Sequence, residues 1–540
     1  MIRKAIEEAI RDTPRVLIHT TNGRLYDKAM QLSAFEALPF FKELVSATTE
    51  RINPTSIEEE VKKHCRYVML SHRWEQNEPL FQTVEHKSIY DLSRSPTNDK
   101  LRKFCSLMHK AGFHWAWSDT VCIDKSNHVV LQESLVAMFT WYSGSSLTVV
   151  YLRDVGELSE PGALQASIWN TRVWTFQEYV ASKVVQFYTG DWTPYLNLNM
   201  FNHKNAPEVI SEMERATGVP AHDLLVLRPG SDDIREKLCL ASRRHTTLVE
   251  DKAYSLLGIL SVKSMSVIYG EGKQALGRLL GIVLTDSGDA SILAWTGGPG
   301  SYNSCLPDDI AVFQQLATTH LPKPLADAEM ETIVRRLRMS TLNMDLGITL
   351  YDRLNELSRP WFVAKRLKLP CIMFPLGPLA TPRARRLANP IRVYRARTAA
   401  LGIVEIKTKE DLSQLTPLYL VHPWIDALID RELPSSVIDD LGLPPLFSDD
   451  EDPISDEDAL ALDQPPLLNE PCAVPMDKQT RALRLIARLH QLFGGLLLAP
   501  LRDGGVEYKR VATDSLIIAQ VQEDADLDLV LGNVRTLDVL

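Results

Sequence analysis

The chain between residues 67 and 192 predicts an α/β fold built on a parallel sheet, and three observations carry that prediction. Short runs rich in β-branched and aromatic residues recur: YVML (67–70), GFHWAWSD (112–119), LTVVYL (147–152) and KVVQFYTGDW (183–192). Segments of helical periodicity separate them, and strands that alternate with helices are joined by crossovers into a parallel sheet. LTVVYL is nearly continuous in apolar residues, as suits a strand covered on both faces.

The elements follow in order. RVLIHTTNGRLYD (15–27) reads as a hairpin, with two apolar runs around Asn22-Gly23, where positive φ angles are cheap. A mixed helical stretch runs on to about residue 63. In SNHVVLQESLVAMFTWYSGSS, Leu131, Leu135, Met138 and Tyr142 share one helical face, Ser126 or Asn127 can cap the start, and Gly144 can end it. A further helix carries Trp174 and Glu178, four residues apart and so on one side. From about 205 to 290 the pattern is mainly helical, with KAYSLLGILSVK and EGKQALGRLLGIVL as apolar-stripe segments, and GGPGSYNSCLPDD (297–309) is a loop and boundary. Beyond it, strand-like runs (IRVYRART, PLYLVHPW) mix with helices such as TRALRLIARLHQLF (480–493). Residues 443–471 are acidic, Pro-rich and free of basic residues, a linker or long loop. The organisation is thus 1–66 as hairpin and helical lead-in, 67–192 as the α/β domain and 193–296 as a helical extension. A mixed α+β region over 297–442, the acidic segment 443–471 and a C-terminal region 472–540 complete it.

Composition narrows the function. The chain has 540 residues, 45% hydrophobic and 24% charged, close to a globular average, so a sizeable core is expected. The net charge of −10 argues against a phosphate-backbone binder, and no nucleic acid is expected as partner. Short basic clusters such as Arg383, Arg385 and Arg386 read as a solvated face. Seven scattered cysteines without CxxC spacing argue against a disulfide framework and a four-cysteine zinc site. The first residues show no secretory signal, and no apolar run reaches the roughly 20 residues a membrane span needs. A cytoplasmic protein is the expectation.

In a parallel sheet, ligands bind outside the carboxyl ends of the strands. Ser71, His72, Arg73 and Trp74 follow YVML; Asp119 and Asp124 follow HWAWS; SIWNTR, ending near Arg172, leads to Trp174 and Glu178. A carboxylate beside indoles and cations suits a sugar-containing ligand, whose hydroxyls and developing positive charge it can hold. Each residue also has a plainer reading: Trp174 as core, Glu178 as a solvated charge, Arg73 with Asp124 as an ion pair, Ser71 and Asp119 as helix caps. His109, His114 and Cys105 lack the spacing of a metal site, and no metal ligand is assigned. GEGKQALG (270–277) lacks the phosphate-loop spacing.

YVMLSHRW, AWSDTVCIDKS, LQESLVAMFTWYSGSSLTVVYLRDV and WNTRVWTFQEYV, in this order, resemble the motifs of the fungal heterokaryon-incompatibility (HET) domain. ASRRHTTLVEDKAYSLLGIL and IYGEGKQALGRLL are similar to the segment that commonly trails it. The resemblance implies nonself recognition leading to growth arrest or cell death after incompatible fungal cells fuse. HET domains have been likened to Toll/interleukin-1 receptor (TIR) domains, which implies a flavodoxin/TIR-like parallel sheet. Many TIR domains cleave NAD, without a further cofactor, through a glutamate on a helix opened by a WxxxE-like element. Carried over to Trp174-Thr175-Phe176-Gln177-Glu178, this makes Glu178 the candidate catalytic carboxylate. Ser71, Arg73, Trp74, Asp119, Asp124, Arg172 and Trp174 become candidates for binding NAD as substrate. Glu75 stands where the family usually has glycine, and His72 where it often has tyrosine; a carboxylate near an anionic dinucleotide would weaken its binding. The alternative from another class is a non-enzymatic signalling module, its sheet edge binding other HET or TIR-like domains or a second copy.

Overall fold

A computed structural model of the chain describes residues 2–38, 41, 54–230, 234–314, 325–339, 343–380, 391–415, 417–430, 477–502 and 505–540. The cluster Arg383, Arg385 and Arg386, the acidic segment 443–471 and Cys472 lie outside these. The chain divides into two compact units, one of residues 1–319 with 361–367 and 539–540, the other of 320–360 and 368–538.

The sheet of the first unit has six strands: β1 (Val16–His19), β2 (Leu25–Asp27), β3 (Tyr67–His72), β4 (Trp115–Trp117), β5 (Leu147–Leu152) and β6 (Val185–Thr189). Their order is β2-β1-β4-β3-β5-β6. The last four are parallel, with Met69 opposite Trp117 and Ser71 opposite Val150. Taken alone they run second-first-third-fourth, the start of the flavodoxin order, so the α/β prediction holds. The hairpin is not a separate lead-in: β1 pairs antiparallel with β4 and extends the same sheet. β5 spans the residues the sequence indicates, while the second run shrinks to WAW, because Ser118 already opens the Asp119–Cys122 helical turn.

Helix His128–Gly144 is capped by Asn127, whose side chain accepts from the amides of Val129 and Val130, and it buries Leu135, Met138 and Tyr142. Helix Val173–Ala181 follows β5, and every residue in it except Trp174 is buried. In the extension, Gln274–Ser287 is helical as expected. KAYSLLGILSVK is not: regular helix there is confined to Asp251–Tyr254, and Ser261 takes a positive φ of 55°. The segment packs closely there: a Cβ on Gly258 would lie 2.2 Å from Phe139 Cβ. Gly258→Ala is accordingly expected to destabilise the fold by about 1–3 kcal/mol, read as a lower melting temperature.

In the second unit, strands Arg392–Thr398 and Gly402–Thr408 form a hairpin. Tyr419–His422 pairs antiparallel with both Arg366–Pro375 and Phe493–Pro500. Helix Lys478–Leu489 packs Leu483 and Ala487 against Met330 and Val334. Among the described residues, no helix is long and apolar enough to cross a membrane, the six cysteines are free, and no group of three or more His, Cys, Asp or Glu could hold a metal.

Candidate functional site

A cavity of about 730 Å³ opens at the carboxyl ends of the parallel strands. Arg73 and Trp74 reach it from the loop after β3, Asp119 from the end of β4, and Arg172, Trp174 and Glu178 from the connection after β5. Six of the eight residues singled out in the sequence therefore line one space. Ser71 stands behind it: its hydroxyl donates to the Glu178 carboxylate and accepts from the Trp169 indole at 2.9 Å. Asp124 is elsewhere. Its carboxylate closes a surface turn, accepting from the Ser126 amide (3.0 Å) and hydroxyl (2.6 Å) and from Gln82 (2.6 Å). Among the described residues Arg73 forms no ion pair, so the alternative pairing with Asp124 is absent.

Glu178 is 9% exposed. Burial pushes its carboxyl up to about 8, the Asp119 charge adds to this, and Ser71, Arg172 and Tyr142 pull the other way. Asp119 behaves oppositely. Burial works against its charge too, but Lys125, His72 and Trp74 together hold it well below the usual carboxylate range. The Trp74 indole donates to Asp119 Oδ2 at 2.6 Å, and Lys125 Nζ lies 3.8 Å from that oxygen and 3.3 Å above the Trp74 ring. Two carboxyls in one cavity are thus driven to different protonation states, an arrangement typical of acid–base and charge-stabilising sites.

His72 is buried beneath this layer. Lys100 Nζ, which can only donate, meets Nδ1 at 2.9 Å, so the ring proton sits on Nε2, 3.2 Å from Asp119 Oδ1. Burial and Lys100 lower the His72 pKa, which keeps the ring neutral. Glu75 does not line the cavity. Its carboxylate pairs with Arg153 and lies 3.7 Å from Lys100. The expected repulsion of an anionic ligand by Glu75 is therefore neutralised locally, while the Arg73 and Arg172 head groups face the cavity.

Other lining residues escaped the sequence reading. Lys125 adjoins Asp124 in the same motif, yet nothing in its spacing separates it from a surface lysine. Leu131, Leu135 and Met138 form an apolar wall and read simply as helix core. His245, Thr246, Asp251 and Tyr269 come from the trailing segment, whose motifs are visible but whose return to the site is not. Chemically, the cavity joins a half-buried indole (Trp174), a second one 38% exposed (Trp74), three cationic groups and three carboxyls, of which Glu178 and Asp251 are buried.

With that geometry in place, comparison with known proteins gives the class: residues 67–163 match the family described as Heterokaryon incompatibility protein (HET), and the chain carries a HET domain there. Among characterised proteins it is similar to Vegetative incompatibility protein HET-E-1 of Podospora anserina, at 33% identity over 234 residues. That match takes in 41% of this chain and 16% of the relative's length, so the chain spans well under a fifth of that protein. No solved structure matches the chain.

Proposed function

We propose that the chain acts in heterokaryon incompatibility, as a cytoplasmic effector of nonself recognition and cell death, and that it does so by TIR-like hydrolysis of NAD in the HET-domain cavity. The observation that carries this reading is the placement of Glu178, buried in the wall of a ligand-sized cavity beside Trp174 and Arg172. A signalling adaptor needs only a complementary outer surface and has no use for a carboxylate held there. In the reaction, the bond between the ribose C1′ and the nicotinamide nitrogen breaks, and its electron pair leaves with neutral nicotinamide. Water adds to the oxocarbenium-like carbon and gives ADP-ribose and one proton. Ionised Glu178 stabilises the developing charge and orients the ribose hydroxyls. Trp74 and Trp174 wall the pocket, and Arg73 and Arg172 meet the pyrophosphate.

Nicotinamide release from NAD by the purified chain, free and artificially clustered, tests this. Wild type is expected to release it, and Glu178→Gln, with unchanged circular dichroism, to lose about 10²–10³-fold in kcat. A folded wild type inert in both states would leave the non-enzymatic interaction module as the better reading.

A further inference from the structure

Beyond residues 67–163 the chain comes back to the cavity. The His245 amide donates to the Thr171 carbonyl at 2.7 Å, and the Val173 amide donates to the His245 carbonyl at 3.1 Å. Arg244 adds bonds of 3.0 Å to the Arg172 carbonyl and to the Thr175 hydroxyl. The trailing segment is thereby fastened to the first turn of the helix that bears Glu178. A few residues on, Asp251 is 7% exposed at the start of its own short helix. One of its oxygens accepts from the Tyr269 hydroxyl at 3.0 Å, and the other lies 3.1 Å from the Thr246 hydroxyl, whose single proton is shared with the Leu248 carbonyl at 2.9 Å. The Trp174 indole N–H faces the same carboxylate. Asp251, Thr246, Tyr269 and Trp174 all line the cavity.

A buried carboxylate persists only where donors surround it, and each donor it recruits gives up its own rotational freedom. Here a tyrosine hydroxyl, a threonine hydroxyl and an indole from three separate stretches of chain meet at one carboxylate. Among the described residues the Tyr269 hydroxyl has no other hydrogen-bond acceptor. Arg172 acts electrostatically on both Asp251 and Glu178, so the two carboxyls share one cationic neighbour. We propose that Asp251 is a positioning residue of this cavity: through Thr246, Tyr269 and the Trp174 indole, its carboxylate holds the wall against which a ligand beside Glu178 packs. The ligand half of this statement rests on the NAD reading above; the wall half does not. It follows that the matched family segment alone lacks part of its own site.

The test uses the full chain labelled with 5-fluorotryptophan, followed by fluorine NMR and by NAD turnover. The chain has ten tryptophans, and the resonance lost in Trp174→Phe is that of Trp174. Asp251→Ala is expected to shift and broaden that resonance while the other nine stay in place, and to raise KM for NAD about tenfold with a smaller change in kcat. Asp251→Asn, which keeps a carbonyl acceptor, is expected to restore both. A Trp174 resonance and KM unchanged in Asp251→Ala overturn the proposal. A wild type inert toward NAD whose Trp174 resonance still moves in Asp251→Ala sinks the NAD reading and leaves the positioning role standing. If Asp251→Ala fails to fold, all ten resonances collapse together. Tyr269→Phe and Thr246→Val, which each delete one donor at nearly constant volume, then decide by the same resonance: movement supports the role and its absence overturns it.

Discussion

Lys100→Met is expected to destabilise the first unit by about 3–5 kcal/mol, the largest single-site loss of stability the fold implies outside the core. Lys100 is 3% exposed. Its ammonium bonds the buried Glu78 carboxylate, lies 3.7 Å from Glu75 and donates to His72 Nδ1 at 2.9 Å. Methionine matches the stem in volume but removes the charge, leaving the Glu78 carboxylate without its cation. Breaking one side of a buried pair costs more than the intact pair contributes, because the desolvation of the remaining ion is no longer offset. The double variant Lys100→Met with Glu78→Gln should therefore recover part of the loss, since neither charge is then stranded. Urea unfolding monitored by tryptophan fluorescence checks both. A single variant as stable as wild type would mean that the network beneath the cavity contributes nothing. Loss of Lys100 also frees His72 to place its proton on either nitrogen, so Asp119 loses a fixed donor and the Trp74 indole its anchored acceptor.

That network shows where the sequence is legible and where it is not. The parallel sheet follows from periodicity, because each run is short, apolar and bounded by helical pattern; β5 spans LTVVYL residue for residue. The rule that ligands meet the carboxyl ends of strands brought Arg73, Trp74, Asp119, Arg172, Trp174 and Glu178 to one cavity. Asp124 escaped it because an Asp followed two residues later by Ser satisfies its carboxylate within the turn, and spacing cannot distinguish that from a ligand contact. The pairing of Glu75 with Arg153 joins residues 78 positions apart, and nothing local announces it. Asp251 and Tyr269 lie about 75 to 90 residues beyond Glu178, in a stretch whose own periodicity suggests only helix, and their place in the site is a long-range fact.

The second large effect concerns Glu178 and pH. Its carboxyl titrates near 8 in the folded chain against an ordinary value of 4.5. Between these values the folded state keeps a proton that the unfolded state has lost, so it binds more protons and its stability falls as pH rises through that window. Below 4.5 both states are protonated and the difference vanishes; above about 8 the whole penalty of a buried charge is present. Glu178→Gln mimics the protonated group and keeps an acceptor for the Ser71 hydroxyl, so it should abolish the slope. The melting temperature of the variant minus that of wild type is expected to be near zero at pH 4.5 and to grow by several degrees by pH 8.5; a difference independent of pH would show that Glu178 ionises freely in the fold. Catalysis should mirror this with opposite sign. The ionised form is the one that stabilises an oxocarbenium-like state, so kcat/KM for NAD should rise with pH toward a limb near 8. NAD places a pyridinium cation in the cavity, and a neighbouring positive charge favours the carboxylate. The limb in kcat should therefore lie below the limb in kcat/KM, and binding of NAD near pH 7 should release a proton, measurable as buffer-dependent heat in calorimetry. Coincident limbs with no proton release would separate Glu178 from the pyridinium and remove it from the reaction.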